Sequence, residues 1–338
     1  MSMNNQIAGD FDLLTPEVVI AAVEAAFDLR LDGTMTPYAS YVNRVYELHS
    51  EDRTPYMVKF YRPGRWSEAA IQEEHAFIAD CVGMEIPTVA PIPDSDGDTL
   101  LTVEASGSLP DYDQQQEQEY HFALFPKRSG RSFDADTEDD YLRLGGLVGR
   151  MHAAARSRTP QHRLHCTPAV IQDVFLQELR DSGTVHPEHS NEFFDLAETI
   201  LERISGLFDG VPMQRVHGDC HRGNILERPG EGLLLIDFDD MMIGPAMQDL
   251  WLLLPERAPN CPAEFNLIVE GYEHFQPFDY SWKRLIEPLR AMRMLYYLAW
   301  SARQRSDARF RRDHPDWGGS AFWSKEIEDL REQLEWCE

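Results

Sequence analysis

The chain has 338 residues, a length that suggests about two domains with room for a sizeable hydrophobic core. With 58 acidic against 31 basic residues, its formal net charge is −27, and so acidic a surface excludes general binding of nucleic acids, whose phosphates need basic partners. A hydrophobic fraction of 43% excludes wholesale disorder.

Cysteine usage and hydropathy predict a cytoplasmic protein. The five cysteines are odd in number and widely scattered, which predicts reduced thiols rather than a disulfide framework. The first residues carry no basic segment followed by an apolar stretch, so no signal peptide is predicted. No apolar run approaches the roughly 18 residues of a membrane span. We expect a monomer without membrane or nucleic-acid partners.

The first third of the chain is predicted to be rich in strands, with one prominent helix after the first hairpin. Thr15 as N-cap and Pro16 at the first helical position predict an initial helix. Two strand-like segments follow at residues 41–49 and 55–61, separated by a polar turn, and they predict an antiparallel hairpin. The later elements predicted here are a helix at 66–81 and strands at 100–105 and 119–125.

The rest of the chain is predicted to be mostly helical. The predicted helices are 137–157, 168–182, 189–208, 245–255, 262–274, 282–306 and 320–336. Residues 215–240 form the exception, because they contain short apolar runs and a glycine-rich turn. These patterns predict two lobes, residues 1–125 and 131–338, joined by a hinge at 126–130.

The most informative stretch, residues 216–226, carries Asp219 and Asn224 on a loop, five residues apart. Residues 233–236 are apolar and predict a short buried strand that ends at Asp237. A loop can fold these three polar groups around one point. Two oxygen ligands, from Asn224 and Asp237, beside the carboxylate of Asp219 suit Mg²⁺-assisted phosphoryl transfer, with Asp219 accepting a proton from a hydroxyl. The alternative is a loop of solvated acids in an acidic protein.

Lys59 lies in a strand whose alternation is predicted to bury Met57 and to present Lys59 on the facing side. An isolated lysine in a strand is usually a solvated edge residue. The helix predicted downstream carries Glu73 and Glu74, however, and a carboxylate there can hold Lys59 for the α- and β-phosphates of a nucleotide. Glu74 is favoured, and Glu73, about 100° away around the helix, stays open as the alternative.

A phosphate-covering loop is expected before Lys59, yet no G-x-G-x-x-G occurs there. Residues 36–44 occupy the place instead. Their small residues Ala39 and Ser40 permit a close backbone approach, and the Ser40 hydroxyl can donate a hydrogen bond to a phosphate oxygen.

Other residues around the loop are interpreted as structural. His217, Cys220 and His221 suggest a zinc cluster only superficially, because no fourth ligand is near; His217 is interpreted as a buttress and Cys220 as a small core residue. Asp249 is predicted to tether the loop by accepting hydrogen bonds from backbone amides. An aromatic stripe with helical spacing is predicted to belong to the core: Tyr296, Tyr297 and Trp300.

The motifs HGDCHRGNIL, LLLIDFDD and GPAMQDLW resemble the aminoglycoside-phosphotransferase and choline-kinase group of protein-kinase-like enzymes. Further segments, SYVNRVYEL, YMVKFYRPGRW, EEHAF, GRMH and EPLRAMRMLYYLAW, resemble the bacterial serine/threonine protein kinases of that group, so the resemblance covers residues 14–323. It implies an α+β, bilobal protein-kinase-like fold, with a small antiparallel-sheet lobe that has one main helix and binds the nucleotide, and a larger mainly helical catalytic lobe.

The resemblance also implies an activity and its cofactors. ATP and Mg²⁺ would be required, and the γ-phosphoryl group would be transferred to a serine or threonine of a protein substrate. Two other functions share these motifs: a kinase for a small amino alcohol, sugar or aminoglycoside, and an inactive nucleotide-binding scaffold. The scaffold is disfavoured, because a binding module has no use for a proton acceptor.

Residue roles follow from the same resemblance. Asp219 is implied as the proton acceptor, Asp237 as a catalytic residue that holds Mg²⁺ together with Asn224, and Lys59 and Ser40 as contacts of ATP, with Glu74 holding Lys59. The sequence Asp-Phe-Asp from residue 237 lacks the glycine of the kinase D-F-G motif, and no A-P-E signature follows. We therefore expect a site that forms without phosphorylation of an activation loop.

Overall fold

The computed structural model describes residues 11–38, 40, 42–107 and 115–337. Residues 1–10, Ala39 and most of the acidic loop 109–118 lie outside the described residues. The chain divides into two compact units. Unit 1 comprises Met1–Ala76, Val89–Ser129 and Gln304–Asp313, and unit 2 comprises Phe77–Thr88, Gly130–Arg303 and His314–Glu338.

This division differs from the two continuous lobes that the sequence predicts. The chain passes from unit 1 to unit 2 after Ser129, inside the predicted hinge. However, Phe77–Thr88 of the predicted first lobe belongs to unit 2, and Gln304–Asp313 of the predicted second lobe belongs to unit 1. The first difference arises because one continuous helix contributes its beginning to unit 1 and its end to unit 2. A local sequence pattern predicts the helix but does not show such a division.

The secondary structure comprises helices and short strands. The helices are α1 (Pro16–Phe27), α2 (Glu68–Gly83), α3 (Glu138–Ala155), α4 (Pro168–Val170), α5 (Gln177–Ser182), α6 (Ser190–Ser205), α7 (Met247–Trp251), α8 (Pro262–Glu273), α9 (Ile286–Arg303), α10 (Ala308–Asp313) and α11 (Ser320–Trp336). The strands are β1 (Leu31–Pro37), β2 (Arg44–Ser50), β3 (Pro55–Phe60), β4 (Leu101–Gly107), β5 (Gln116–Pro126), β6 (Arg131–Ser132), β7 (Gln214–Val216), β8 (Ile225–Arg228), β9 (Gly232–Leu235) and β10 (Met242–Gly244).

Unit 1 is built on an antiparallel sheet of order β1-β2-β3-β5-β4. Val58 and Phe60 of β3 are fully buried and pack with α1, which begins at Pro16 with the Thr15 hydroxyl as the predicted cap. Lys59, between them, points to the opposite face. The prediction that Met57 and Lys59 face opposite sides is wrong, because side chains two residues apart in a strand share a face.

Strand β1 was not predicted from the sequence. It lies at the edge of the sheet, and among its residues only Leu31 is buried. The strand also contains Gly33 and ends at Pro37, residues that are depleted from central strands but tolerated at an edge. The predicted hairpin of the next two strands is confirmed by the antiparallel pairing of β2 and β3. The segment with Ser40 therefore connects β1 and β2.

Unit 2 is mainly helical, as predicted. Helices α6, α9 and α11 pack around a shared core, in which the rings of Phe193 and Trp323 lie 5.0 Å apart. The predicted helix at 168–182 is made of α4, a π-helical segment (Ile171–Leu176) and α5. Short strands form two small sheets, β6-β8-β9 and β10-β7. Within the described ranges, no helix combines the length and apolar character that crossing a bilayer requires.

The aromatic stripe of α9 belongs to the core only in part. Tyr296 is half-buried and meets the ring of Phe175 edge-on at 4.9 Å. Tyr297, however, is 51% exposed and stacks on Trp300 with ring centroids 5.2 Å apart. The prediction of a buried stripe is wrong for Tyr297, because adjacent helical residues point about 100° apart.

Candidate active site

The hairpin of β8 and β9 brings Asn224 and Asp237 to one end of a small sheet. Ile225 pairs with Leu235 in the antiparallel register, and the Ile236 amide donates to the carbonyl of Asn224 at 2.9 Å. Asn224 immediately precedes Ile225 and Asp237 immediately follows Ile236, so both residues lie at this end of the hairpin. Asp237 is exposed and has a left-handed backbone (φ 63°), so the chain turns sharply where the strand ends.

Asp219 joins them through hydrogen bonds from Asn224. The side-chain amide nitrogen of Asn224 donates to the carbonyl oxygen of Asp219 at 2.9 Å and contacts its Oδ2 at 3.3 Å. These bonds fix the orientation of the amide and commit its nitrogen, so that its oxygen is the atom available as a metal ligand. An amide oxygen beside a carboxylate from Asp237 is the hard-oxygen donor set that Mg²⁺ prefers. The three residues grouped by the sequence therefore lie in one loop cluster that fits the ion chemically.

The Asp219 carboxylate is held on both sides by cationic or polar groups. Nη2 of Arg293 lies 2.5 Å from Oδ1, and Nε2 of His221 lies 3.4 Å from Oδ2. Burial alone would raise the pKa of Asp219, but the hydrogen bond from His221 and the charge of Arg293 outweigh it and lower the pKa to about 2. Asp219 is therefore ionised at neutral pH, as a proton acceptor must be.

Arg293 is a site residue that the sequence did not indicate. It interrupts the apolar run of α9, which was its only signal, and it lies 74 residues from Asp219. No local pattern links a helix position to a loop so distant along the chain.

Asp249 fixes the backbone of the loop that carries Asp219. Its carboxylate accepts hydrogen bonds from the amides of His217 at 2.7 Å and Gly218 at 2.9 Å. It also pairs with Nε2 of His152 at 2.9 Å, and both of these side chains are fully buried. The predicted tether is confirmed, whereas the role of His152 was not foreseen.

The imidazole ring of His217 supports the same loop. Its Nε2 donates to the carbonyl of Ile236 at 2.9 Å, its Nδ1 accepts from the Asp219 amide at 3.3 Å, and its ring lies 4.7 Å from that of Phe238. Both ring nitrogens are thus used in hydrogen bonds, which confirms the buttress interpretation. Gly218 is required beside it: its φ is 84°, and a Cβ would lie 2.1 Å from the carbonyl of Asp240.

In unit 1, Lys59 forms a buried ion pair with Glu74. Nζ of Lys59 lies 3.2 Å from Oε1 of Glu74, which is only 1% exposed. The ammonium also lies 4.7 Å from the ring centroid of Tyr61. Glu74, the glutamate that the sequence favoured, therefore contacts Lys59.

Ser40 lies half-buried in the connection between β1 and β2. Its hydroxyl oxygen accepts a hydrogen bond from the amide of Asn43 at 3.4 Å. Asn43 is itself buried and accepts from the amide of Arg62 at 3.0 Å, which anchors the end of this loop to the residue after β3 and Tyr61. The neighbouring Ala39 and Tyr41 lie outside the described residues.

The chain is similar to known phosphotransferases and kinases. Residues 34–286 match the model of the phosphotransferase enzyme family (APH). "Stress response kinase A" of Salmonella typhi is 37% identical over 97% of this chain and 95% of its own. "Serine/threonine protein kinase RdoA" of Salmonella typhimurium (strain LT2) is 36% identical over the same shares.

A solved structure extends the comparison to the fold. The amicoumacin kinase hAmiN, in complex with AMP-PNP, Ca²⁺ and Ami, aligns with 94% of this chain and 92% of its own, with a TM-score of 0.68 and 19% identity. At this identity the likeness concerns the fold alone. The predicted α+β protein-kinase-like fold is confirmed by it.

Proposed function

The chain belongs to the phosphotransferase enzyme family and is an ATP-dependent phosphotransferase, and on that premise we propose that it is a Mg²⁺-dependent serine/threonine protein kinase. The observation that carries the proposal is the cluster of Asp219, Asn224 and Asp237 at the end of the β8–β9 hairpin. The names of the two relatives support a protein as the acceptor and a role in a stress response, since both are matched over nearly their full length.

In this proposal Asp219 orients and deprotonates the acceptor hydroxyl. Its ionised carboxylate orients the serine or threonine oxygen toward the γ-phosphorus of ATP and accepts the proton. A bond from that oxygen to phosphorus forms while the bond to the β-phosphate oxygen of ADP breaks. Because the transition state is loose, positioning and charge compensation supply most of the catalysis.

The remaining residues would bind the nucleotide and its ion. Asn224 and Asp237 would hold Mg²⁺, which neutralises phosphate charge when bound. Lys59 would contact the α- and β-phosphates, and Glu74 would keep its ammonium in place. The Ser40 hydroxyl would donate to a phosphate oxygen. The ammonium of Lys59 and the hydroxyl of Ser40 suit a triphosphate, because its oxygens are negatively charged and accept hydrogen bonds.

The test is phosphoryl transfer from labelled ATP by the purified protein. The wild type is expected to label protein acceptors with Mg²⁺ present and to stop when EDTA is added. Asp219→Asn and Asp237→Asn are each expected to lower turnover at least about a thousandfold while the variant proteins still fold and unfold cooperatively. Asp209→Asn, which changes an exposed aspartate of the same unit, is the matched control and should retain activity.

A parallel panel of amino alcohols, sugars and aminoglycosides separates the two acceptor classes. If only small molecules are phosphorylated, the protein-kinase assignment is wrong, although the phosphotransferase activity stands. If Asp219→Asn keeps wild-type turnover, the proton acceptor has been misassigned. A phosphoproteome comparison between cells with the wild type and with Asp219→Asn then identifies the protein substrates.

A further inference from the structure

A small cavity of unit 2 adjoins the residue that precedes Asp219. Its volume is about 40 Å³, and it is lined by Gly218 together with residues from the π-helical segment and from α9. Most of the lining is apolar: Val170, Ile171, Phe175, Leu289, Met292 and Tyr296. A π-helical turn is rare and often marks a functional site. Here the turn lies against the cavity that neighbours the proposed base.

The size of the cavity restricts what it can hold. Pockets for drug-sized ligands have volumes of roughly 300–1,000 Å³, and a single water needs about 10–15 Å³. A cavity of about 40 Å³ is therefore too small for a sugar ring or an aminocyclitol. It has room for one small side chain, and its apolar lining favours an aliphatic one.

The charges at the cavity disfavour a cationic acceptor. The lining contains the carboxylate of Asp240, which accepts a hydrogen bond from the Tyr296 hydroxyl at 2.9 Å. It also contains the guanidinium of Arg293, which lies 2.5 Å from the carboxylate of Asp219 next to the cavity. An amine near the acceptor hydroxyl would meet the guanidinium of Arg293, which itself lines the cavity. Two cations in the same small cavity repel each other, so the amine would have to displace the guanidinium of Arg293.

We propose that this cavity is the acceptor subsite, that it takes a small aliphatic side chain adjacent to the phosphorylated serine or threonine, and that Arg293 excludes acceptors carrying a cation there. The inference rests on the proposed protein-kinase function and narrows its substrate class. The acceptor is a protein segment in which the hydroxyl residue has a valine-like neighbour and no adjacent lysine or arginine. Arg293 acts through electrostatics on the acceptor and through its ion pair on the position of Asp219.

The first arm of the test uses the wild type and a set of matched peptides. Each peptide has one serine with valine, glycine or lysine on either side, and kcat/KM is measured with ATP and Mg²⁺. The valine peptides are expected to exceed the glycine peptides about tenfold, because burying an aliphatic side chain favours binding by that order. The lysine peptides are expected to fall at least about tenfold below the glycine peptides.

The second arm uses variants, read as ratios between peptides. Val170→Phe fills the cavity and is expected to bring the valine-to-glycine ratio close to one. Val174→Phe changes an exposed residue of the π-helical segment and is the matched control, which should keep the wild-type ratio. Arg293→Gln is expected to raise the lysine-to-glycine ratio about tenfold, whereas Arg293→Lys should restore discrimination, a change that lost packing alone would not produce.

Two results overturn the inference in distinguishable ways. If the wild type phosphorylates peptides with equal kcat/KM for valine, glycine and lysine neighbours, the subsite is wrong while the protein-kinase function stands. If it phosphorylates amino alcohols or aminoglycosides but no peptide, the protein-kinase function is wrong and the subsite falls with it.

Discussion

A single buried carboxylate, that of Asp249, organises the backbone on which the proposed base depends. Both of its oxygens accept hydrogen bonds: Oδ1 from the Gly218 amide, and Oδ2 from the His217 amide and from His152. Backbone amides buried without an acceptor are costly, so the folded loop requires an acceptor at both positions. The position of Asp219, one residue further along, follows from this requirement.

Asp249→Asn is therefore expected to impair stability and activity together. Asparagine has one acceptor oxygen, and its amide would place a donor against one of the backbone N–H groups. We expect the free energy of unfolding to fall by about 1–3 kcal/mol, the usual result of leaving one buried donor unsatisfied. Turnover should fall because Gly218 and Asp219 shift. Urea unfolding and labelled-ATP assays measure both quantities.

Asp209→Asn, which changes an exposed residue, is the reference for this substitution. We expect it to change the free energy of unfolding by no more than about 0.5 kcal/mol. Equal stability of Asp249→Asn and the wild type would contradict the role of Asp249 as an acceptor for two amides.

Among the helices, α3 and α8 cross with their backbones in contact. A Cβ on Gly145 of α3 would lie 1.9 Å from the carbonyl oxygen of Ile268, and one on Gly271 of α8 would lie 2.1 Å from that of Leu142. Glycine lowers helix propensity by about 1 kcal/mol relative to alanine. The two helices accept this loss because only glycine permits so close an approach. Gly146, the next residue of α3, has its nearest neighbouring atom at 3.5 Å, in ordinary contact.

These two neighbouring glycines are expected to respond in opposite ways to alanine. Gly145→Ala should lower the free energy of unfolding by about 3 kcal/mol, because the helices must separate to admit a methyl group. Gly146→Ala should leave it unchanged or raise it by up to about 1 kcal/mol through helix propensity. Urea unfolding of the two variants under identical conditions gives the comparison, and similar stabilities would show that the close crossing is not maintained in solution.

Across the whole molecule, sequence patterns predicted the structural features that depend on residues close together in the chain. Alternation and turn residues were sufficient for the β2–β3 hairpin, and the motif spacing was sufficient for the loop that groups Asp219 with Asn224. The edge strand β1 was missed because an edge exposes polar residues and carries no alternating pattern. The contact between Arg293 and Asp219 was missed because packing, not local sequence, brings together residues so far apart.

The same reasoning applies to Gln304–Asp313, which returns to unit 1 from near the end of the chain. Its Asp307 accepts from Arg44 at 2.7 Å and from Arg62 at 3.2 Å, and the Asp307 side chain is only 7% exposed. The partners are separated by 263 and 245 residues in sequence. A chain ending at Ser129 would lack this carboxylate, so unit 1 depends on a segment that the predicted continuous lobes placed elsewhere.

This ion-pair cluster makes stability depend on pH in a defined direction. Burial alone would raise the pKa of Asp307, but the hydrogen bond and charge of Arg44, with a further bond from Arg62, hold the pKa below its ordinary value. A carboxyl whose pKa is lowered by folding stabilises the folded state above its unfolded pKa of about 3.9, and the contribution disappears as the pH falls through the lower folded value.

Asp307→Asn tests this dependence, because asparagine cannot ionise. At pH 7 the variant is expected to be about 1.5–3 kcal/mol less stable than the wild type, the range for hydrogen bonds to charged groups. The difference should shrink as the pH is lowered below about 4. Urea unfolding between pH 7 and pH 3 measures it, with Arg44→Gln as a second variant whose pH dependence should be weaker than that of the wild type. A difference between Asp307→Asn and the wild type that stays constant over this range would mean that Asp307 does not stabilise unit 1 as a carboxylate.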